Sequence, residues 1–406
     1  MAVATDLYER LAAHGITRRD FLKFCGTLAA VMGLSQTAVP QIAAAVGEAA
    51  GSGLYPALWI NGAACTGCTE SIAQATQPNV ADIVLDILSL PQMETVMMAS
   101  GEYAEKAGEE YAAANKGKYI LICEGAVTEM LDGNVLRIAE KPYVEILQHY
   151  AEGAAAIVAV GSCAVDGGWV RAYPNPAKAT GVKAYLDANI SNPKKRPPVV
   201  NLPGCPVNPL EIIAVVVNVL LTGDLTKILK DPVKELNLDR QNRPKYLYGS
   251  TIHDNCERRG HFENGEFVYQ FGGQAEADNY CLYAMGCKGP QTYRHCSKLR
   301  WNNNMSWCVA SGGPCIGCGN FNWVDNNTPF RQRMRRIGAG VIGGPGGLGI
   351  AKAGAIVGGV VVVGIGAHAL ASKATHRIGK NSTLKNEEMK TYDARKLKKK
   401  GGSADA

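Results

Sequence analysis

L-Y-P-A-L-W-I-N-G-A-A-C-T-G-C-T-E, residues 54–70, decides the fold. Leu54 to Asn61 reads as a buried strand, Gly62 to Glu70 as a loop with two cysteines, and a helical pattern starts at Ser71. In open α/β sheets, ligands bind at such strand-to-helix loops. Alone, Cys65-Thr66-Gly67-Cys68 also fits a thioredoxin-like redox pair. The same pattern recurs downstream. Strands are expected at Val80–Leu88, Lys118–Glu124, Ala155–Val160 and Val199–Leu202, with helices over Glu94–Ala114, Pro142–Ala151 and Pro209–Leu221. Strands alternating with helices indicate a doubly wound parallel sheet. Three of these strands end in a cysteine-bearing loop: Cys65 and Cys68, then Gly161-Ser162-Cys163-Ala164, then Pro203-Gly204-Cys205-Pro206. In a parallel sheet these ends share one edge, so four thiols spread over 141 residues converge. The Gly and Pro contexts are turn chemistry. Cys123, inside an apolar strand, reads as a small buried hydrophobe.

Beyond Asp231 the periodicity loosens, with Lys245–Tyr248 as one more possible strand. His253 to Cys318 then holds seven of the thirteen cysteines in 66 residues. Thiolates are soft ligands that select zinc, Cu(I) or iron–sulfur clusters. His253, Cys256, Cys281, Cys287, Cys296, Cys308, Cys315 and Cys318 are eight donors, enough for two four-ligand sites. Composition leaves open disulfides in an exported domain, two zinc sites, or clusters. An irregular segment of this length is a poor domain unless metal holds it together.

Thr17-Arg18-Arg19-Asp20-Phe21-Leu22-Lys23, followed by an apolar run from Phe24 to Val46, matches a twin-arginine export signal. Cleavage is expected between about Ala45 and Gly53, which removes Cys25. At the other end, Ala353–Ala371 is a 19-residue apolar run between Lys352 and Lys373, close to the roughly 20 residues needed to span a bilayer. From Lys373 onward there are ten Lys/Arg against four Asp/Glu, which accounts for the net charge of +6. The rest of the chain is neutral, so the charge is a tail and not the footprint of a nucleic-acid-binding domain. The basic flank follows the positive-inside rule and places the tail in the cytoplasm.

Together, W-I-N-G-A-A-C-T-G-C-T-E (59–70), E-G-A-V (124–127), G-S-C-A-V-D-G-G (161–168), P-G-C-P-V-N-P (203–209), H-D-N-C (253–256), C-L-Y-A-M-G-C-K-G-P (281–290) and P-C-I-G-C (314–318) make the chain resemble the small, electron-transferring subunit of periplasmic, membrane-anchored uptake nickel–iron hydrogenases. The resemblance covers about Leu54 to Phe330. It implies a flavodoxin-like domain over 54–230, an irregular iron–sulfur domain over 245–330, a transmembrane anchor over 353–371, a basic tail over 373–406 and a signal over 1–50. It also implies three clusters. Cys65, Cys68, Cys163 and Cys205 would hold a proximal [4Fe–4S] cluster. His253, Cys256, Cys281 and Cys287 would hold a distal [4Fe–4S] cluster, and Cys296, Cys315 and Cys318 a medial one. Most standard members carry a medial [3Fe–4S] cluster and have Pro after the tryptophan. Here Trp307 is followed by Cys308, which supplies a fourth thiol and implies a medial [4Fe–4S] cluster, as in the selenium-containing members.

The implied partners are a large subunit that carries the nickel–iron centre and either a membrane cytochrome b or a periplasmic cytochrome c; nucleic acid is not among them. The implied location is the periplasmic face of the inner membrane. Oxygen-tolerant members add two cysteines where this chain has Gly67 and Gly168, so an ordinary proximal cluster is expected. Ala64 stands where some members have a Glu discussed as part of a proton route. The competing readings are a membrane-tethered polyferredoxin with no catalytic partner and a structural zinc protein.

Overall fold

The computed structural model describes residues 17–51, 55–75, 88–192, 196–222, 228, 231–302, 304–328, 330 and 350–374. Two compact units emerge. One spans Met1–Arg259 with Phe267–Arg335, and the other Gly260–Glu266 with Arg336–Ala406.

The first unit is built on five parallel strands: β1 Tyr55–Asn61, β2 Leu88–Ser89, β3 Ile120–Glu124, β4 Ala156–Val160 and β5 Val199–Leu202. Their order is β2-β1-β3-β4-β5, the flavodoxin-like arrangement expected from the sequence. β1 pairs with β3 from Ala57↔Ile120 to Asn61↔Glu124, and β3 with β4 from Ile120↔Ala156 to Glu124↔Val160. Because successive side chains point to opposite faces, each strand feeds two cores. Ala57, Trp59, Ile120, Ile122, Val158, Val160, Val200 and Leu202 enter one. Leu58, Ile60, Leu121, Cys123, Ile157, Ala159 and Val199 enter the other. A sheet buried on both faces must read as continuous apolar runs, which is why the strands were legible.

In chain order the longer helices are α1 Arg18–Val31, α2 Val39–Gly51, α3 Gly67–Ala73, α4 Glu102–Ala114, α5 Tyr143–Gly153, α6 Gly161–Asp166, α7 Val182–Asn189 and α8 Pro209–Thr222. Tyr143, Leu147 and Tyr150 of α5 pack into the second core, and most of α8 into the first. The segment read as an export signal is α1 and α2. Thr17 caps α1, its Oγ1 accepting from Asp20 N at 3.2 Å. Phe21, Phe24, Leu28, Ile42 and Val46 are buried in the same core as α8, while Arg18 and Arg19 stay exposed.

Three expectations are corrected. The helix expected from Glu94 begins at Glu102. Met93 bridges Trp59 at the sheet edge, Val96 N and Met97 N fold back on the Met93 carbonyl, and Gly101 takes φ +59° before the helix starts. Lys245–Tyr248 is a helical turn, not a strand, because Leu247 N and Tyr248 N both donate to the Pro244 carbonyl. α3 begins at Gly67, ahead of Ser71, for a reason given below. Of the strand expected at Val80–Leu88, residues 80–87 lie outside the described residues and Leu88 falls in β2.

The cysteine-rich stretch has its own small core of Ile252, Val268, Leu282, Met285, Trp307 and Val309, with Cys296 and Cys315 among them. Its regular structure is limited to the short helix Arg259–Asn264 and turns such as His253–Asn255, Leu282–Met285 and Cys296–Leu299.

In the second unit, Ile350–Ala374 forms one helix, α9. Its Gly354–Ala374 portion, 21 residues, is long and apolar enough to cross a membrane and is 0% buried. The glycine-rich residues 338–349 and the tail beyond 374 lie outside the described residues.

Candidate functional site

The C-terminal ends of β1, β4 and β5 carry the first four thiols. After β1 the chain is held against the β3 loop: Gly62 N donates to the Glu124 carbonyl at 2.6 Å, and Ala63 pairs with Ala126. Thr66 adopts a left-handed turn at φ 59°. The Glu124 carboxylate, only 3% exposed, then accepts from Cys68 N at 2.9 Å, Thr69 N at 3.1 Å and Thr69 Oγ1 at 2.6 Å. The two N–H groups belong to the first turn and would otherwise lack partners. The carboxylate therefore starts α3 early and fixes Cys68.

At the end of β4, Gly161 sits at φ +92°, and a Cβ there would lie 2.8 Å from Cys68 Sγ. Glycine is required by both the turn and the sulfur. Ser162 ties the next two loops together: its N donates to the Gly204 carbonyl at 2.9 Å, and its Oγ accepts from Gly204 N at 3.0 Å. Cys163 and Cys205 follow those tied residues directly. Gly67 and Gly168, the positions linked to extra cysteines, do lie beside sulfur. Added Cβ atoms would stand 3.1 Å from Cys65 Sγ and 3.0 Å from Cys163 Sγ.

In the cysteine-rich stretch, His253, Cys256, Cys281 and Cys287 line one pocket with Ile252, Arg258 and Trp307. Backbone N–H groups point at the sulfurs: Arg258 N to Cys256 Sγ at 3.4 Å, Tyr283 N to Cys281 Sγ at 3.4 Å and Cys315 N to Cys287 Sγ at 3.3 Å. Gly317 N reaches Cys315 Sγ at 3.4 Å. Such bonds are a known lever on cluster potential. Cys296, Cys308, Cys315 and Cys318 form the last set. Cys296 and Cys315 are buried, Cys318 is half-buried and Cys308 is exposed.

The thiols sense one another. Burial, then neighbouring charge, raises Cys68 well above the ordinary thiol value, with Glu124, Cys205 and Cys163 among the causes. Burial pushes Cys163 to about 11, with Cys65 contributing, and Cys205 to about 12, with Cys318, Cys163 and Cys65 contributing. Cys281 is pushed to about 12 by burial, with Cys287 and Cys256 contributing. Burial also raises Cys296, with Cys318 and Cys308 contributing; Cys308, exposed as a residue, is raised by desolvation of its sulfur, with Cys318 contributing. Without a cation these thiols stay protonated at neutral pH. A metal that binds them must displace their protons.

All thirteen cysteines are free, which removes the disulfide reading. Among the described residues, no three His, Cys, Asp or Glu side chains converge tightly enough to share one metal ion.

Several neighbours had no site signal in the sequence. Arg294, 1% exposed, reaches Cys318 Sγ at 3.6 Å and is paired with the fully buried Glu211 at 2.8 Å. Burial opposes its charge, but Cys296, Glu211 and Cys318 more than offset this and hold the guanidinium well above its ordinary value. Arg258, 4% exposed, donates to the Tyr280 carbonyl at 3.0 Å beside the Cys256 set. Neither arginine lies in a turn motif or a cysteine spacing, so only the fold could find them. Glu124 was visible as part of a motif but carried no assigned role.

Two family models and several known proteins match this chain. Residues 248–331 match the C-terminal family of NiFe/NiFeSe hydrogenase small subunits. Residues 65–219 match NADH ubiquinone oxidoreductase, 20 Kd subunit. The chain is 38% identical over 329 residues to the periplasmic [NiFe] hydrogenase small subunit of Solidesulfovibrio fructosivorans, covering 81% of this chain and 96% of that one. It is 39% identical over 307 residues to the hydrogenase-2 small chain of Escherichia coli K12, covering 75% and 77%. Among solved structures, the recombinant [NiFeSe] hydrogenase of Desulfovibrio vulgaris Hildenborough superposes with a TM-score of 0.63 at 34% identity, over 69% of this chain and 98% of that one.

Proposed function

We propose, for a chain that belongs to the small-subunit family of nickel–iron hydrogenases, that its twelve ligand positions form a three-station electron relay. As a family member it is the electron-transfer subunit of a hydrogenase heterodimer, its clusters are iron–sulfur, and the catalytic site lies on the large subunit. The finer assignment is our reading. Cys65, Cys68, Cys163 and Cys205 hold the proximal [4Fe–4S] cluster. Cys296, Cys308, Cys315 and Cys318 hold a medial [4Fe–4S] cluster, and His253, Cys256, Cys281 and Cys287 the distal one. The observation that carries it is the convergence of three cysteine loops at one sheet edge, with Ser162 joining two of them. Residues 54–230 would form the flavodoxin-like domain with the proximal site, and residues 245–330 the iron–sulfur domain with the other two.

Iron–sulfur clusters supply one-electron redox chemistry when bound. The chain's own residues do the rest. Glu124 fixes Cys68, Ser162 and Gly204 hold the Cys163 and Cys205 loops together, and N–H groups at Arg258, Tyr283, Cys315 and Gly317 face the sulfurs. Burial keeps Cys68, Cys281, Cys296 and Cys315 away from water.

Residues 1–50 serve as a twin-arginine signal, and residues 353–371 anchor the protein at the periplasmic face of the inner membrane. Electrons then leave to a membrane cytochrome b and quinone, or to a periplasmic cytochrome c. The periplasmic name of a relative and the apolar helix α9 support this placement.

Affinity purification of the tagged chain tests the reading. A nickel-containing large subunit should co-purify, with iron and sulfide for three clusters. A stable monomer without hydrogen–dye activity would sink it.

A further inference from the structure

Arg294, nearly fully buried, touches both a candidate ligand of one station and the backbone beside a candidate ligand of another. Its Nη1 lies 3.6 Å from Cys318 Sγ. Its Nη2 donates to the carbonyl of Pro206, next to Cys205, at 2.8 Å. The guanidinium lies so close over the Cys205 loop that a Cβ on Gly204 would meet Cζ, Nη1 and Nη2 at 2.5 Å each. Trp301 covers one face at 5.3 Å. Glu211, in the first turn of α8, takes two further donors, accepting from Nε at 3.2 Å and Nη2 at 2.8 Å. The Glu211 carboxylate is held in turn by Asn208 N at 3.0 Å.

A buried ion pair is weak evidence for stability, because desolvation opposes it. Placed between two redox stations, it has another consequence. An electron arriving at the Cys318 site adds negative charge, and a fixed cation beside that sulfur favours the reduced form. In a low-dielectric interior this interaction is poorly screened.

We infer that Arg294, oriented by Glu211, is a positioning residue for electron passage between the Cys205 and Cys318 stations, setting the potential of the medial site and tying the two loops together. The inference rests on the cluster assignment proposed above. The step is a one-electron transfer with no bond made or broken. With clusters bound, the proximal site would be oxidised and the medial site reduced, while Arg294 keeps its proton throughout, as guanidinium does in proteins.

The test is a redox titration of the purified heterodimer followed by electron paramagnetic resonance. Arg294→Gln should lower the medial midpoint potential, changing the oxidised-to-reduced ratio at fixed poise at least tenfold, about 59 mV for one electron. Glu211→Gln leaves the cation unbalanced and should move the midpoint the opposite way. Arg294→Lys should recover part of the shift. A purely structural role predicts no such reversal of sign. If Arg294→Gln does not assemble, Glu211→Gln and Arg294→Lys carry the comparison. Full iron content with an unmoved medial midpoint, or shifts of the same sign in the Gln variants, overturns the inference. Failure of the underlying assignment would look different: wild-type iron content would leave no cluster for the Cys296 set, and Cys315→Ser would not change it.

Discussion

Ser162 and Cys318, 156 residues apart, are joined by one hydrogen bond, Ser162 Oγ donating to the Cys318 carbonyl at 2.5 Å. The same hydroxyl accepts from Gly204 N at 3.0 Å. One side chain thus links the β4 loop, the β5 loop and the cysteine-rich stretch. Ser162→Ala leaves a buried N–H and a carbonyl without this partner, at a cost of about 1–3 kcal/mol. We expect a lower melting temperature for the heterodimer and faster loss of iron on dilution. An unchanged melting temperature would show that the hydroxyl is dispensable.

Under the proposed assignment, Cys308 sets the identity of the medial cluster. It lies near Cys318 and Cys296, each of which contributes to or receives its charge. A fourth thiolate disfavours loss of the fourth iron. The oxidised wild-type enzyme should therefore show no stoichiometric [3Fe–4S] resonance, and Cys308→Pro should produce one. A full [3Fe–4S] signal in undamaged wild type would contradict the assignment.

His253 shares its pocket with Cys256, Cys281 and Cys287. Replacing a thiolate by neutral imidazole reduces the negative charge of a site and raises its potential. His253→Ala should leave hydrogen activation on the large subunit intact, read by isotope exchange, while slowing electron delivery to the natural acceptor at least tenfold. Unchanged turnover with that acceptor would remove His253 from the relay.

The α9 helix gives a prediction about location. Deleting residues 350–406 should release active enzyme from the membrane fraction into the periplasm and uncouple it from quinone. Persistence of the truncated protein in washed membranes would show that something else holds it there.

Tyr143 and Cys123 face the same core and predict an alkaline limit. Burial raises Cys123 above its ordinary 9.0 and Tyr143 well above 10.0. Between the ordinary and folded values the unfolded chain has lost protons that the folded chain retains. Stability is therefore fully present below about pH 9 and falls as pH rises. The melting temperature should decline above that point, and Cys123→Ala should weaken the first part of the decline. A flat profile into strongly alkaline solution would mean that these groups ionise without unfolding.

The strands were legible because both faces of the sheet are buried, leaving apolar runs that end abruptly in Gly and Cys turns. The cysteine-bearing loops were legible because Gly and Pro beside cysteine mark turns at strand ends, and few other roles concentrate cysteine that way. Boundaries set by long-range contacts were not. α3 starts at Gly67 because Glu124 caps it from another strand, and the chain after Met93 is held at the sheet edge by Trp59. Lys245–Tyr248 alternates like a strand, yet it coils so that the Tyr248 hydroxyl reaches the Pro203 carbonyl at 3.1 Å. Local pattern alone thus determined the parallel sheet, the cysteine loops and the apolar C-terminal segment. Only the folded chain could place Arg294 against Cys318 and Glu211. Their sequence separations of 24 and 83 residues carry no periodic signal, and a charge becomes a structural fact only once its surroundings exclude water.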